Sequence, residues 1–464
     1  MNSQRNTDIS QQLSSAPVGR LLLKLAVPTV VAQLVNLLYN IVDRIYIGHM
    51  PEVGMTALTG IGLCFPVIYL IGAFTMLVAQ GGAPRAAIAM GEGNNEKAEK
   101  IMGSCFTCLI GTAIALTALF WIFGEQLLWI FGCSEETIVY ALPYMRIYSS
   151  GSIFVMMALG MNLFVTTQGF TTVSMRTVLI GAVSNIILDP IFIYAFDMGV
   201  QGAALATVIS QAVSGIWVVR FLTGKRTTLR LRRGSLRPSW TLMAPVLALG
   251  VSPFVMQSTE ALLSISFNSS LQRYGGDIAV GAMTIANTVL QMVWIPSQGL
   301  GQGAQPIISY NYGAKNAKRV KDAFFALLKV SCVLMLTFWL LVQLFPQVFI
   351  RIFNNEPLLM DTAKWTLRLY TAVLGMFGIQ MSVQQTLMAI GKAKASLFIA
   401  CLRKIILLIP LIFLLPQFFE NKVFAVFLAE PVSDFISVMA AAITFFLVFR
   451  PALAELEADQ PKTE

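Results

Sequence analysis

The sequence predicts an all-α polytopic membrane protein, with twelve transmembrane helices in two pseudo-symmetric six-helix bundles. Three observations carry this. Of 464 residues, 56% are hydrophobic and only 12% charged, with mean hydropathy +0.72. A soluble globule would carry about a quarter charged residues. Apolar windows long enough to cross a bilayer recur along the whole chain. The second half then repeats landmarks of the first.

The windows fall near 25–48, 57–80, 101–123, 139–163, 174–195 and 200–222, then 241–270, 280–304, 324–348, 365–389, 395–417 and 423–449. Backbone in hydrocarbon must satisfy its own hydrogen bonds, so each is read as a helix. This divides the chain into a tail (1–24), an N-lobe (25–222), a basic linker (223–240), a C-lobe (241–450) and a second tail (451–464). The N-terminal 20 residues are polar and lack the basic-then-apolar pattern of a signal peptide.

Orientation follows from the cations. Most of the 32 Lys and Arg fall on one side, in the tails and every second loop, with Arg403 and Lys404 counted among them. That side is expected to be cytoplasmic, with both termini inside. The formal charge of +9 is therefore topology more than nucleic-acid binding. The linker TGKRTTLRLRRGSLRPSW is its most basic piece and suits lipid headgroups.

AVPTVV at Pro28 matches GVSPFV at Pro253, 225 residues on. Pro84 and Pro306 are separated by 222, Gly169 and Gly391 by 222, and Pro190 and Pro410 by 220. Copies of six spans each keep one orientation, related by an axis along the membrane normal, and transporters of this kind bind near the midplane.

The repeat locates an asymmetry. Asp189 aligns with Ile409, and Asp43 aligns with Asn268, so the first half holds acids where the second is neutral. In GAVSNIILDPIFIY (181–194), Asn185 and Asp189 stand at i and i+4 on one helical face. Gln33, Asn36, Asn40 and Asp43 form a stripe down the first helix, and Thr207, Gln211 and Ser214 share a face of the sixth. An ionisable residue within a span marks an ion or substrate path by default. Carboxylates among neutral amides suit a reversibly bound proton or Na⁺; helix-end or interhelical packing is the competing reading for both acids. Asn162 is a further candidate ligand.

In the second half, Gln257, Glu260, Ser264 and Asn268 line one face of the seventh span, and Asn287, Gln291, Trp294 and Gln298 one face of the eighth. Gln380 and Gln384 do so on the tenth, and Glu430 and Asp434 pair at i, i+4 on the twelfth. Glu260 and Glu430 are candidate counter-charges for a cationic substrate; pairing with Arg403 or Lys404 is the alternative. With Gln33, Asn36, Asn40, Gln257, Asn268 and Gln291 they complete the candidate cavity set.

Other chemistry finds no support. Cys105 and Cys108 make a CxxC inside an apolar span, with no His or further Cys nearby for zinc. The sole histidine, His49, is a surface residue at the outer end of the first helix on this reading. GLGQG (299–303) lacks the strand context of a nucleotide loop. No Walker motif or catalytic triad spacing occurs, so the expectation is a transporter driven by an ion gradient, not an enzyme, with no cofactor and no metal beyond transported Na⁺ at Asp43 and Asp189.

The first-helix pattern ending NIVDRIYIG, Gln168-Gly169, and above all NIILDPIFIYAFDMGVQGAALAT (185–207) resemble the MATE (multidrug and toxic compound extrusion) family, in its DinF/MepA-like prokaryotic branch. The likeness covers nearly all of 20–450. It implies a V-shaped pair of bundles that exports lipophilic cations against inward H⁺ or Na⁺; a prokaryotic inner membrane and a monomeric state are expected alongside. It also implies an N-lobe ion site of Asp43, Asn185, Asp189 and Thr207, with Asn162. Export of an endogenous metabolite or a lipid-linked precursor is the alternative.

Overall fold

The computed structural model describes residues 11–458 except 49, 51–53 and 352–356; His49 lies outside the described residues. These are almost wholly helical, with no strand among them. Ten helices are long and apolar enough to cross a membrane: α1 (Val18–Ile47), α2 (Thr59–Gly91), α3 (Asn95–Ile130), α5 (Thr171–Ala195), α6 (Gly199–Thr223), α7 (Trp240–Gly276), α8 (Ile278–Gly313), α9 (Ala317–Leu344), α11 (Ala393–Gln417) and α12 (Lys422–Ala458). Between α3 and α5, α4 is an eleventh, built from Glu135–Ser150 and Ser152–Thr167 with a bend of 55°. The predicted tenth span is α10, in two pieces, Pro357–Tyr370 and Phe377–Ala389.

The two breaks have local causes. At the α4 bend, a Cβ on Gly151 would lie 2.3 Å from Val208 Cγ2, so only glycine lets α6 approach there. In α10 the run Thr371–Gly375 combines β-branched residues with glycine, a poor helix-forming mixture. Gly378 then brings the resumed helix onto the backbone of α9, its added Cβ 2.8 Å from Cys332 Cα.

The internal repeat extends to the caps. Asn94 accepts from Lys97 N at the start of α3, and Asn316 accepts from Arg319 N at the start of α9. The residues just before them, Gly93 and Lys315, both take positive φ, as do Gly169 and Gly391. Gln168 fastens the linker to the first half. Its Oε1 accepts from Thr227 Oγ1 and from Leu229 N, each at 2.7 Å.

The buried apolar residues form two lobes that exchange half-helices. The N-lobe core runs from Ile47 to Leu229 and takes in Met243 and Val246 from the start of α7. Conversely Leu21, Leu22, Leu25 and Ala26 from the start of α1 pack with Leu300, Ile307 and Phe324 of the second half. The remaining core of the second half gathers residues such as Phe267, Val289, Leu367 and Phe427. Each lobe therefore holds the first half of the other's leading helix.

At the end carrying Gly91 and Gly313 the lobes meet backbone to backbone. Added Cβ atoms would lie 1.9 Å from Tyr310 O at Gly91 and 1.9 Å from Ile88 O at Gly313. Deeper in, Gly81 faces the Val246 carbonyl and Gly250 the Leu77 carbonyl, while Gly299 and Gly303 rest on Val30 and Ala26. GLGQG thus packs α8 on α1 through a small-residue spacing of four, the membrane-helix device for close approach. Beyond these contacts the lobes part around a cavity.

Candidate functional site

The cavity, about 500 Å³, lies between α1, α2, α4, α5 and α6 on one wall and α7, α8, α10 and α11 on the other. Amides are prominent in its lining: Gln33, Asn36 and Asn40 from α1, Gln211 from α6, Gln257 from α7, and Gln298 and Gln302 from α8. Tyr39, Tyr69, Trp294, Phe377 and several methionines supply its apolar surface. Gln33 Nε2 donates to Gln302 Oε1 at 3.2 Å, an amide link across the lobes.

Asn185 and Thr207 lie on the N-lobe wall, with the two acids behind them. Asn185 Nδ2 donates to Asp189 Oδ1 at 3.0 Å and reaches Thr207 Oγ1 at 3.5 Å. The i, i+4 spacing on α5 makes the first contact, and the packing of α5 on α6 makes the second. The carboxyl groups of Asp43 and Asp189 lie close enough to interact across α1 and α5. Pro190 lacks an N–H, and the helix continues beyond it as a π turn, Ile191–Ala195. Asp189 is fully buried and Asn185 nearly so.

Three oxygens in this cluster are buried with no hydrogen-bond partner: Asp43 Oδ1, Asn185 Oδ1 and Asp189 Oδ2. Unsatisfied acceptors in a protein interior cost about 1–3 kcal/mol each, and more when charged. Such a set matches a proton on one carboxyl, or a small hard cation, which prefers oxygen ligands. Arg44 is not placed to neutralise them by pairing; its guanidinium lies over the Phe65 ring, 4.8 Å from the centroid.

Asn162 stands apart. Its Nδ2 donates to Ser174 O at 3.3 Å, eleven residues before Asn185 on α5. At 1.5 Å rise per residue that is roughly 16 Å along the helix. It lines the cavity but does not join Asp43 and Asp189. Its position follows a π-helical turn, Met157–Met161, in α4.

Sequence reasoning missed an aromatic shell. Tyr39 lines the cavity with Asn40 and Gln211, and Tyr144, near Asp43, stacks on Tyr148 with ring centroids 6.2 Å apart. Tyr39 lies one turn before Asp43, a spacing that could have pointed to it. Nothing local in the sequence brings α4 to the same place.

The second half corrects two expectations. Arg403 and Lys404 are not loop cations; both are buried on a π-helical stretch of α11, Leu402–Leu408. Glu260 and Glu430 are not free counter-charges, because they pair with those cations. Neither acid lines the cavity, and Asn268 and Gln291 do not line it either, whereas Arg403 and Lys404 do. Both half-repeats thus place charged groups beside the cavity, acids in the first and a mixed network in the second.

Cys105 is a packing residue, its Sγ 3.8 Å from Val78 O, and none of the six cysteines is bridged. Among the described residues, no group of three or more His, Cys, Asp or Glu could hold a metal ion.

Two internally repeated lobes of membrane-length helices, close-packed at one end and parted around a cavity lined by polar groups, define a membrane transporter rather than an enzyme. The MatE family profile matches residues 28–191 and again 253–414, one match per repeat, and the chain belongs to that family. It is 25% identical over 424 residues to the multidrug export protein MepA of Staphylococcus haemolyticus, covering 90% of this chain and 92% of that one. It is 24% identical over 406 residues to MepA of Staphylococcus aureus strain N315, covering 87% and 88%. In structure it is similar to a MATE protein in the bent conformation, with TM-score 0.88, 21% identity, and coverage of 97% and 98%. It is also similar to a MOP superfamily transporter from Pyrococcus furiosus, with TM-score 0.87, 21% identity, and coverage of 96% and 98%. The MATE-type V-shaped fold follows from these matches.

Proposed function

We propose that this chain is a secondary antiporter that exports lipophilic, mostly cationic compounds in exchange for H⁺ or Na⁺. The observation that carries the reading is the set of unpartnered oxygens on Asp43, Asn185 and Asp189 directly behind the cavity wall. Occupancy by an ion would remove their electrostatic cost and draw α1 to α5. Because α1 also lines the cavity and spans both lobes, that pull reaches the substrate space. One charge crossing ~100 mV supplies about 2.3 kcal/mol, which covers a useful part of the work. Energy from the gradient calls for no cofactor.

The cavity wall supports a broad substrate range. Aromatic faces attract organic cations, and methionines adapt to varied shapes. Names of the staphylococcal relatives point the same way. On this reading the protein sits in the cytoplasmic membrane as a monomer, with the basic loops and both termini inside. The alternative substrate, an endogenous metabolite or lipid-linked precursor, draws support from one feature: the only charged side chains on the described cavity wall are Arg403 and Lys404.

Dye efflux from cells or inverted vesicles, driven separately by ΔpH or ΔNa⁺, tests the proposal. Efflux powered by one gradient and lost in Asp189→Asn is the expected result. If neither gradient moves any cationic dye, the multidrug reading is wrong and the narrower exporter takes its place.

A further inference from the structure

Arg403 and Lys404 are consecutive, buried, and share three carboxylates. Arg403 Nε donates to Asp434 Oδ1 at 2.6 Å, and one of its terminal nitrogens donates to Glu430 Oε1 at 2.7 Å. Lys404 pairs with Glu260 and donates to Met256 O at 3.0 Å. Two cations against three acids leave one negative charge uncompensated.

The surplus can be placed. The Glu260 side chain is 54% exposed, so its charge is the least buried of the three. Asp434 holds the shorter contact to Arg403. Glu430 is 5% exposed, and its Oε2 is buried with no hydrogen-bond partner. The groups facing Glu430 are Glu260 on α7, Tyr370 on α10, Arg403 and Lys404 on α11, and Asp434 one turn on along α12. An ionised Oε2 there would lack both a partner and solvent, while a second carboxylate repels it from the same helix face. A proton on that oxygen makes the network neutral.

We infer that the C-lobe network holds one exchangeable proton on Glu430 Oε2, a proton-binding centre separate from Asp43 and Asp189. Exchange has a route, because Arg403 and Lys404, which hold the network, line the cavity. The proton passes between Glu430 and cavity water. On its departure the network becomes singly negative, while Arg403 stays held by Asp434. A cation entering the cavity favours that departure. Each lobe then carries its own protonatable group. The coupling consequence rests on the antiport reading, but the protonation does not.

Infrared difference spectroscopy on the purified full-length protein in lipid nanodiscs, titrated through neutral pH, decides the matter. The Asp43→Asn/Asp189→Asn double variant should keep a carbonyl band from a protonated carboxylic acid. Carbon-13 labelling of glutamate carboxyls should shift that band, and Glu430→Gln should remove it. No band in the double variant overturns the inference, as does a band unmoved by glutamate labelling or surviving in Glu430→Gln. Labelling needs no mutation at Glu430, so poor folding of that variant leaves the test intact. Absence of dye efflux by the native protein, with the band present, would count against the antiport reading alone.

Discussion

Gly313 sits so close to Ile88 that an added Cβ would lie 1.9 Å from its carbonyl oxygen, and Gly91 stands in the same relation to Tyr310. The two contacts map onto each other through the repeat, since 222 residues separate Ile88 from Tyr310 and Gly91 from Gly313. The lobes therefore close one end of the cavity through a pseudo-two-fold pair of glycine–carbonyl contacts. A backbone atom cannot move aside as a flexible side chain can, so any larger residue forces the lobes apart.

Gly313→Ala and Gly91→Ala should each prevent this end from closing. Transport is expected to fall at least about tenfold with normal membrane insertion. Spin-label distances between α2 and α8 should lengthen in both. Gly111→Ala, where nothing lies within 4 Å, serves as the control and should be neutral.

Asp189→Asn and Asp43→Asn should abolish coupled efflux while leaving thermal stability equal to or above native. Each substitution removes one of two crowded buried acids and adds an amide donor beside the unpartnered oxygens. Melting curves beside efflux assays check both halves of this statement. A large loss of stability would show that the acids are structural.

Asn162→Ala should leave ion dependence intact and alter only substrate range or affinity, because Asn162 bonds to Ser174 and not to the acid cluster. Efflux kinetics against several dyes, at varied ion gradients, separate the two effects. Loss of ion dependence would place Asn162 back among the ion ligands.

Arg403→Gln should be strongly destabilising, by about 3–5 kcal/mol, since it strands Glu430 and Asp434 in the interior. It also removes a cation stacked 4.7 Å over Phe377. Glu430→Gln keeps a neutral, hydrogen-bonding group and should cost far less. Comparing the two melting temperatures in one detergent tests the contrast.

Gln168→Ala should release the linker. Thr227 Oγ1 and Leu229 N both lose the buried acceptor, at a cost of about 1–3 kcal/mol. Limited trypsin digestion at Lys225, Arg226, Arg232 or Arg233 should become several-fold faster. Unchanged cleavage would mean that the Arg230 N bond to Glu99 and the Arg232 ion pair hold the strap alone.

Much of this architecture was legible in the chain. Bilayer solvation permits few solutions, so apolar length alone marks most of the spans, and the repeat predicts two like-oriented halves. Asn185 and Asp189 were legible as a pair because one helix turn separates them. Asp43 was legible as a buried acid, but its contact with Asp189 crosses two helices far apart in sequence. The position of Asn162 was not legible for the same reason: it follows a π turn in α4 and bonds to Ser174 on another helix.

The charges of the second half show where sequence reasoning stops. Arg403 and Lys404 look like loop cations when counted by hydropathy, because a window average does not register a partner on another helix. For Glu260 and Glu430 the sequence leaves a counter-charge role and pairing with Arg403 or Lys404 both open, for the same reason. What the sequence by itself determined is the membrane class, the spans, the repeat and the polar residues that need an explanation. Those are set by local composition and periodicity. Only the tertiary structure decided which charges neutralise one another, which oxygens are left over, and where glycines let two lobes touch. These depend on ångström-scale approach between segments that share no local signal.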